Sequence, residues 1–207
     1  SALRPMSRPR VVCVVGPTAS GKTALALELA EHLGAEIVSA DSRQIYRQLD
    51  IGTAKPTAVE QAQVRHHCLD LVAPSETFDV ARYRVAATAA IVEITQRGRL
   101  PLIVGGTGLW LRALLRGLCP APPRVPALRA TLGDQAAREG LQALHAQLAV
   151  LDPATASRLH PHDHVRIIRA LEVGLSTGRP LSVWQAEHGF NEAPFDALLI
   201  GLIVPPE

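Results

Sequence analysis

The sequence predicts an α/β fold: a parallel sheet flanked by helices, with an all-helical insertion. Residues 10–41 pass from a buried-strand pattern to a helical pattern and to a second strand, the size of a βαβ unit. The same alternation continues to about residue 116. Residues 127–187 then show helical patterns only, and residues 197–204 return to a strand pattern, as expected of a chain that re-enters its sheet.

Composition narrows the class of protein. Apolar residues make up 47% of the 207 residues, which excludes a disordered chain, and the three Phe, two Tyr and two Trp leave the core mostly to aliphatic side chains. No apolar run reaches the roughly 18–20 residues of a membrane span, so we expect no membrane segment and a cytoplasmic location. Cys13, Cys68 and Cys119 lie too far apart in sequence for a CxxC pair and are expected to be reduced core residues.

The first elements follow from local patterns. The β-branched run at 10–15 predicts a central strand that ends at Gly16. Apolar residues at helical spacing predict a helix over 23–33, closed by Gly34. A second strand is predicted over 36–40 and ends at Asp41.

Later elements define three domains. The patterns predict a helix over 79–96, a strand over 99–104, a helix from 108 and a short strand over 66–71. The proline-rich stretch 117–126 forbids regular structure and marks a boundary. We therefore divide the chain into a core over 1–116, a helical insertion over 117–195 and a return to the core sheet over 196–207.

A phosphate-binding loop is the clearest motif. Residues 16–23, GPTASGKT, fit the pattern GxxxxGK[ST] between a buried strand and a helix N-terminus, which predicts a P-loop NTPase-like core. In such a loop the backbone N–H groups and the helix dipole favour phosphate oxygens, Lys22 supplies a cation, and the Thr23 hydroxyl is able to bind Mg²⁺. The alternative, a chance glycine loop, is disfavoured by this context.

Asp41 follows the second predicted strand. Loops at the carboxyl ends of parallel strands gather around ligands, so a carboxylate there is placed to hold a metal through water or to accept a proton from a nucleophile. The alternative is a helix N-cap, because Ser42 and Arg43 come next.

Three glycines surround Thr107 after the strand over 99–104. A hydrolysing ATPase has an Asp at this place, so its absence argues against a motor-like NTPase. Gly105, Gly106 and Gly108 suggest close approach of the backbone to a ligand, with Thr107 offering a hydroxyl and an N–H. A plain tight turn is the alternative.

A basic face is predicted in the insertion. Arg158, Arg166 and Arg169 lie around three alternate histidines, and guanidinium groups suit a diphosphate or a nucleic-acid backbone. A solvated face explains them equally well. A metal site is disfavoured because Pro161 interrupts the histidines, and His66 and His67 are read as structural.

A single helix follows those histidines. Asp163 is placed to cap it. Its apolar stripe is predicted to contain Val165, Ile168, Leu171 and Leu175.

Together, several ordered segments resemble the tRNA dimethylallyltransferase family over residues 11–203. The most specific are the second and fifth of the following: GPTASGKT at 16, DSRQIYRQLDIGTAKP at 41, HHCLDL at 66, GGTGLWLRALL at 105, LDPATASRLHPHDHVRIIRALEV at 151 and TGRPLS at 177.

The resemblance implies a reaction. A dimethylallyl group passes from dimethylallyl diphosphate to N6 of the adenosine on the 3′ side of the anticodon in tRNA, and diphosphate leaves. Asp41 is implied as the general base, Thr107 as its partner and Thr23 as the Mg²⁺ ligand. The implied diphosphate-binding residues are Gly16, Pro17, Thr18, Ala19, Ser20, Gly21, Lys22 and Thr23.

The resemblance also implies how tRNA is held. The helical insertion grips the anticodon stem-loop, and we expect the protein to act as a monomer. Trp110 stands where the family usually has Tyr, and Val165 where it often has Gln. The implied tRNA-binding residues are Asp41, Ser42, Arg43, Gln44, Thr107, Val165, Arg166, Ile167, Ile168 and Arg169.

Family members continue after GLIVPPE, so this chain is expected to lack their C-terminal third.

Three other functions remain open at this point. Adenosine phosphate isopentenyltransferases share the loop and the Asp, although they need no anticodon grip. A small-molecule kinase fits Gly16–Thr23 and Asp41 alone, and a chain that binds tRNA or diphosphate without turnover is the non-enzymatic alternative.

Overall fold

Five parallel strands form the sheet of the part of the chain that the computed structural model describes, residues 8–17, 19–50 and 52–203. Their order is β3-β2-β4-β1-β5, so the predicted parallel sheet is confirmed. The strands are β1 (Arg10–Val15), β2 (Ala35–Ser39), β3 (His66–His67), β4 (Leu100–Gly105) and β5 (Asp196–Gly201).

Four helices of the described residues belong to the same unit as the sheet. Gly34 ends the first in a left-handed conformation, as predicted, and Asp79 caps the third by accepting the N–H of Arg82. No helix among the described residues is long and apolar enough to cross a membrane. The helices are α1 (Lys22–Leu33), α2 (Ala58–Gln63), α3 (Val80–Gln96) and α4 (Gly108–Arg116).

The core on the α3 and α4 side of the sheet is mainly aliphatic. Two of its aromatic members, Tyr83 and Trp110, stack with their ring centroids 4.3 Å apart. Trp110, which stands where the resembled family usually has Tyr, is therefore part of the core. Cys13 and Cys68 are free and buried, and burial raises the pKa of each thiol to about 12.

The strand predicted over 66–71 is shorter in the structure. It pairs with β2 only at His66 and His67, because Cys68 and Asp70 adopt left-handed backbone conformations that a strand does not continue through. Further along, Tyr46 and Val72 form an isolated parallel bridge.

The second unit is all helical. The chain divides between Leu118 and Cys119 and again between Asn191 and Glu192, so residues 192–195 belong with the sheet. Phe195 lies in the core beside the sheet, which explains why this boundary comes earlier than predicted. The helices of this unit are α5 (Pro126–Glu139), α6 (Leu141–Leu151), α7 (Pro153–Ala156), α8 (His164–Thr177) and α9 (Leu181–His188).

Helix α8 carries the core of this unit. Asp163 caps it as predicted, through the N–H of Arg166. The predicted stripe was wrong at its ends: Val165 is 67% exposed and Leu175 45%, whereas Ile168 and Leu171 are buried. The buried face turns instead toward residues that the stripe left out, namely Ile167, Ala170, Val173 and Gly174.

Candidate active site

The phosphate loop connects β1 to α1 and bends back on itself. Gly21, just before α1, has a φ of 79°, a left-handed conformation that glycine adopts without strain. Ala19 is also left-handed, with a φ of 63°. Of the eight predicted diphosphate-binding residues, Thr18 lies outside the described residues.

Two side chains of this loop are arranged to receive an anion. Lys22 Nζ donates a hydrogen bond of 2.8 Å to the carbonyl of Pro17, which keeps the ammonium group against the loop. The Ser20 hydroxyl is buried and has no partner among the described residues. A buried hydroxyl without a partner is costly, so its arrangement fits a ligand oxygen at this loop.

The ends of β2 and β4 meet beside the phosphate loop. A Cβ on Gly105 would lie 2.2 Å from the carbonyl oxygen of Ala40, so only glycine fits there. The close approach predicted for these glycines therefore occurs at Gly105, but against the protein's own backbone. Thr107 completes the junction: its N–H donates to Ala40 O, and its hydroxyl accepts the N–H of Ser42 at 3.2 Å.

Asp41 starts a tight turn at this junction. Its Oδ1 accepts the N–H of Arg43 at 2.8 Å, the geometry of an Asx turn. Residues 42–45 are turn residues and no helix begins there, so the helix N-cap alternative is wrong. The side chain is half-buried, which leaves the carboxylate accessible from the adjoining pocket.

Four of the predicted site residues line a pocket of about 30 Å³. Lys22 and Thr23 of the phosphate loop line it, and so do Asp41 and Gln44 from the loop after β2. Apolar residues form much of the remaining wall, among them Ala26, Ile37 and Val104. The arrangement therefore combines phosphate-binding groups, a carboxylate and an apolar wall in one small space.

His66 is a pocket residue that the sequence reasoning treated as structural. Its Nδ1 lies 2.7 Å from the carbonyl of Val64, and burial lowers its pKa below the usual range. The neighbouring His67 has a structural partner, since its Nε2 lies 2.7 Å from the carboxylate of buried Glu36. Adjacent residues of a strand point to opposite faces, and this alternation was the available signal.

The donor set at the pocket fits Mg²⁺. Thr23 and Asp41 supply hard oxygen donors, which this ion prefers. Within the described ranges no cluster of three or more His, Cys, Asp or Glu residues is arranged to hold a metal. Mg²⁺ is commonly held by one or two protein oxygens together with substrate phosphates and water, and these residues suit that mode.

The predicted tRNA-binding residues of α8 divide into two groups. Val165 and Arg166 are exposed, and within the described residues the Arg166 guanidinium pairs with one carboxylate, Asp163, at 3.3 Å. Ile167 and Ile168 are buried in the helical core, so their side chains do not reach a tRNA surface. The sequence alone does not separate these two groups, because one turn of α8 supplies both the exposed pair and the buried pair.

Arg169 belongs with the interior of the helical unit. Its guanidinium group binds the carboxylate of buried Glu172 at 2.8 Å and the carbonyl of Pro122. Arg129 contacts the same carboxylate at 3.1 Å. Arg166 and Arg169 therefore do not form the shared basic face that was predicted, because the guanidinium group of Arg169 binds partners inside the helical unit.

Comparison with known proteins decides the family. The model of the IPP transferase family matches residues 44–207. This chain belongs to that family. Proteins named tRNA dimethylallyltransferase from Anaeromyxobacter dehalogenans and tRNA dimethylallyltransferase 1 from Trichlorobacter lovleyi are each 56% identical to it, over 95% and 96% of its length. The chain spans 65% of the length of each of these relatives.

Solved structures show the same fold. A tRNA isopentenylpyrophosphate transferase from Bacillus halodurans is 40% identical with a TM-score of 0.58, over 94% of this chain and 60% of that one. A eukaryotic dimethylallyltransferase acting on tRNA is 28% identical with a TM-score of 0.73, over 93% and 48%.

Proposed function

We propose that this family member transfers a dimethylallyl group from dimethylallyl diphosphate to N6 of the adenosine 3′-adjacent to the anticodon of tRNA. The observation that carries the proposal is the pocket shared by Lys22, Thr23 and Asp41. A kinase needs only the phosphate-binding part, whereas the apolar wall suits an allyl group. We also propose that the reaction takes place in the cytoplasm and in a single copy of the chain.

The reaction forms one N–C bond and breaks one C–O bond. The N6 lone pair attacks C1 of the allyl group, the C1–O bond breaks, and diphosphate leaves with the bonding electrons. Asp41 accepts the proton that N6 loses. Lys22 and the loop N–H groups stabilise the negative charge that grows on the diphosphate, and the Ser20 hydroxyl donates to it. Mg²⁺, held through Thr23, supplies further neutralisation of that charge when bound.

Thr107 has a second role available. Its hydroxyl oxygen accepts the Ser42 N–H, and the described residues include no acceptor for its hydrogen. That hydrogen is therefore free to bind the target adenine. An adenine must leave its base stack to reach such a pocket, and a donor beside Asp41 would hold the extruded base for attack.

Arg166 is expected to contact the tRNA backbone. Arg166→Ala should weaken tRNA binding for all sequences and reduce the slope of log K against log salt by about one. The free energy of unfolding should change little, since the side chain is exposed. Fluorescence titration of an anticodon stem-loop at several salt concentrations measures the slope. Arg169→Ala is the matched variant: it should lower stability, and an unchanged slope for Arg166→Ala would remove that residue from the interface.

Product formation tests the proposed function. The chain is incubated with Mg²⁺, dimethylallyl diphosphate and an unmodified anticodon stem-loop, and the molecular mass of the RNA is measured by mass spectrometry. We expect the mass of one added dimethylallyl group, absent when the target adenosine is replaced. A version extended to the length of the relatives is tested in parallel. No product from either version would refute the proposal.

A further inference from the structure

Lys55 is a buried lysine that the reaction above does not use. Its side chain is only 4% exposed, and all three of its N–H donors are engaged. Nζ binds Asp50 at 2.6 Å, Asp70 at 2.7 Å and the carbonyl of Tyr46 at 2.9 Å. These partners come from two stretches of chain, so the ammonium group of Lys55, in the segment before α2, joins the loop after β2 to the segment after β3.

The segment just before Lys55 holds Gln44. The side-chain amide of Gln44 donates to the carbonyls of Thr53 and Ala54, at 3.3 and 2.9 Å, and its oxygen accepts the hydroxyl of Ser39 at 2.9 Å. Both N–H donors of the Gln44 side-chain amide, and its oxygen, are therefore hydrogen-bonded within the protein. Ala54, next to Lys55, has a left-handed φ of 49°, a conformation that needs external support.

This network forms one wall of the pocket that contains Lys22 and Asp41. Gln44 and Pro56, the residue after Lys55, both line this pocket. Gln44 also lies among the turn residues that follow Asp41, and its backbone carbonyl accepts the N–H of Asp70. Any shift of residues 52–56 would therefore move the wall and the turn together.

We propose that Lys55 is a positioning residue, which fixes the Asp41 turn for the reaction by holding residues 53–54 against the Gln44 amide. Gln44 acts in this network rather than as a side-chain contact for tRNA. The role of the turn in prenyl transfer rests on the proposed function. The hydrogen-bond network through which Lys55 orders the Asp41 turn does not depend on that function.

Amide hydrogen exchange tests the link without any need for activity. In Lys55→Met, the N–H groups of Ser42 and Arg43 should exchange about tenfold faster or more, because the network that orders the turn is cut. The N–H of Leu25 in α1 should keep its rate. Asp50 and Asp70 are partly exposed and remain solvated, so the variant should fold.

Arg97→Met is the matched control. Arg97 also binds a buried carboxylate, Glu36, but near the starts of β2 and β4. Glu36 keeps His67 and two further arginines nearby, and exchange at Ser42 and Arg43 should stay at the parent rate. Unchanged exchange in folded Lys55→Met would overturn the proposal, and equal acceleration in Arg97→Met would do so too.

Gln44→Ala decides the case if Lys55→Met does not fold. It removes only the amide link, so exchange at Ser42 and Arg43 should rise as in Lys55→Met, and parent rates would overturn the proposal. In the transfer reaction, both variants should lower kcat about tenfold with little change in KM for dimethylallyl diphosphate. The double variant should be no slower than the slower single variant. If neither the parent chain nor its extended version transfers anything, the proposed function fails while the exchange result still decides the role of Lys55.

Discussion

Asp41→Asn is expected to lower the turnover number by roughly 10²–10⁴, the range for loss of a general base. Asparagine keeps the size of the side chain and still accepts the Arg43 N–H, so the turn should persist. What is lost is the oxygen that takes the proton from N6. Binding of the anticodon stem-loop and of the diphosphate should remain close to that of the parent chain.

Single-turnover product formation measures this effect, with RNA titration in parallel. Asp196→Asn is the matched control, since this exposed aspartate begins β5 and its one ion pair in the part of the chain that the structure describes is a long one of 3.8 Å with Arg10. It should transfer at the parent rate. Near-parent turnover of Asp41→Asn would show that another group takes the proton.

Glu172→Gln is expected to reduce the free energy of unfolding by about 3 kcal/mol near pH 7. The carboxylate is fully buried and binds Arg129, Arg169 and the N–H of Val125, at 3.1, 2.8 and 2.7 Å. Glutamine fills the same space but leaves two guanidinium groups without a counter-charge. The value is at the low end for buried pairs because both arginine side chains are about a quarter exposed.

The pH dependence of this loss has a definite sign. Burial alone would raise the pKa of Glu172, but hydrogen bonds from Arg169, Val125 and Arg129 outweigh it and lower the pKa below 4.5. A lowered folded-state pKa gives stability that is complete above the unfolded value and is lost as pH falls through the folded value.

Urea unfolding of the parent chain and Glu172→Gln therefore shows the largest difference near pH 7. The difference should shrink as pH falls below about 4.5. Glu36 and Asp152 also have lowered pKa values, but they occur in both proteins and cancel. A difference that stays constant with pH would show that Glu172 acts through packing alone.

Local patterns were enough to predict the parts of the fold that depend on neighbouring residues. The apolar run of β1, the glycine loop and the periodic α1 follow from strand and helix geometry, and the structure has each of them. Asp41 and Thr107 were also predictable as neighbours, because both follow parallel strands that end at one edge of the sheet.

Features that depend on distant partners were not predictable from local patterns. A charged residue is usually exposed, so the burial of Glu172 becomes understandable only with Arg129, 43 residues earlier. The internal use of the Gln44 amide likewise depends on the carbonyls of Thr53 and Ala54. The errors at Val165 and Leu175, the ends of the predicted apolar stripe of α8, also come from distant partners. Periodicity predicts that a helix has an apolar face, but it does not say which side of the helix the other helices cover.

The identity of the transferred group, and of the atom that receives it, tests the proposed reaction itself. The chain and its extended version are each given an anticodon stem-loop together with dimethylallyl diphosphate and ATP, and the RNA is digested and its nucleosides identified. We expect N6-dimethylallyladenosine at the position 3′ to the anticodon, with release of diphosphate, and its loss in Asp41→Asn. Phosphate transfer from ATP, or unmodified adenosine from both versions, would contradict this expectation.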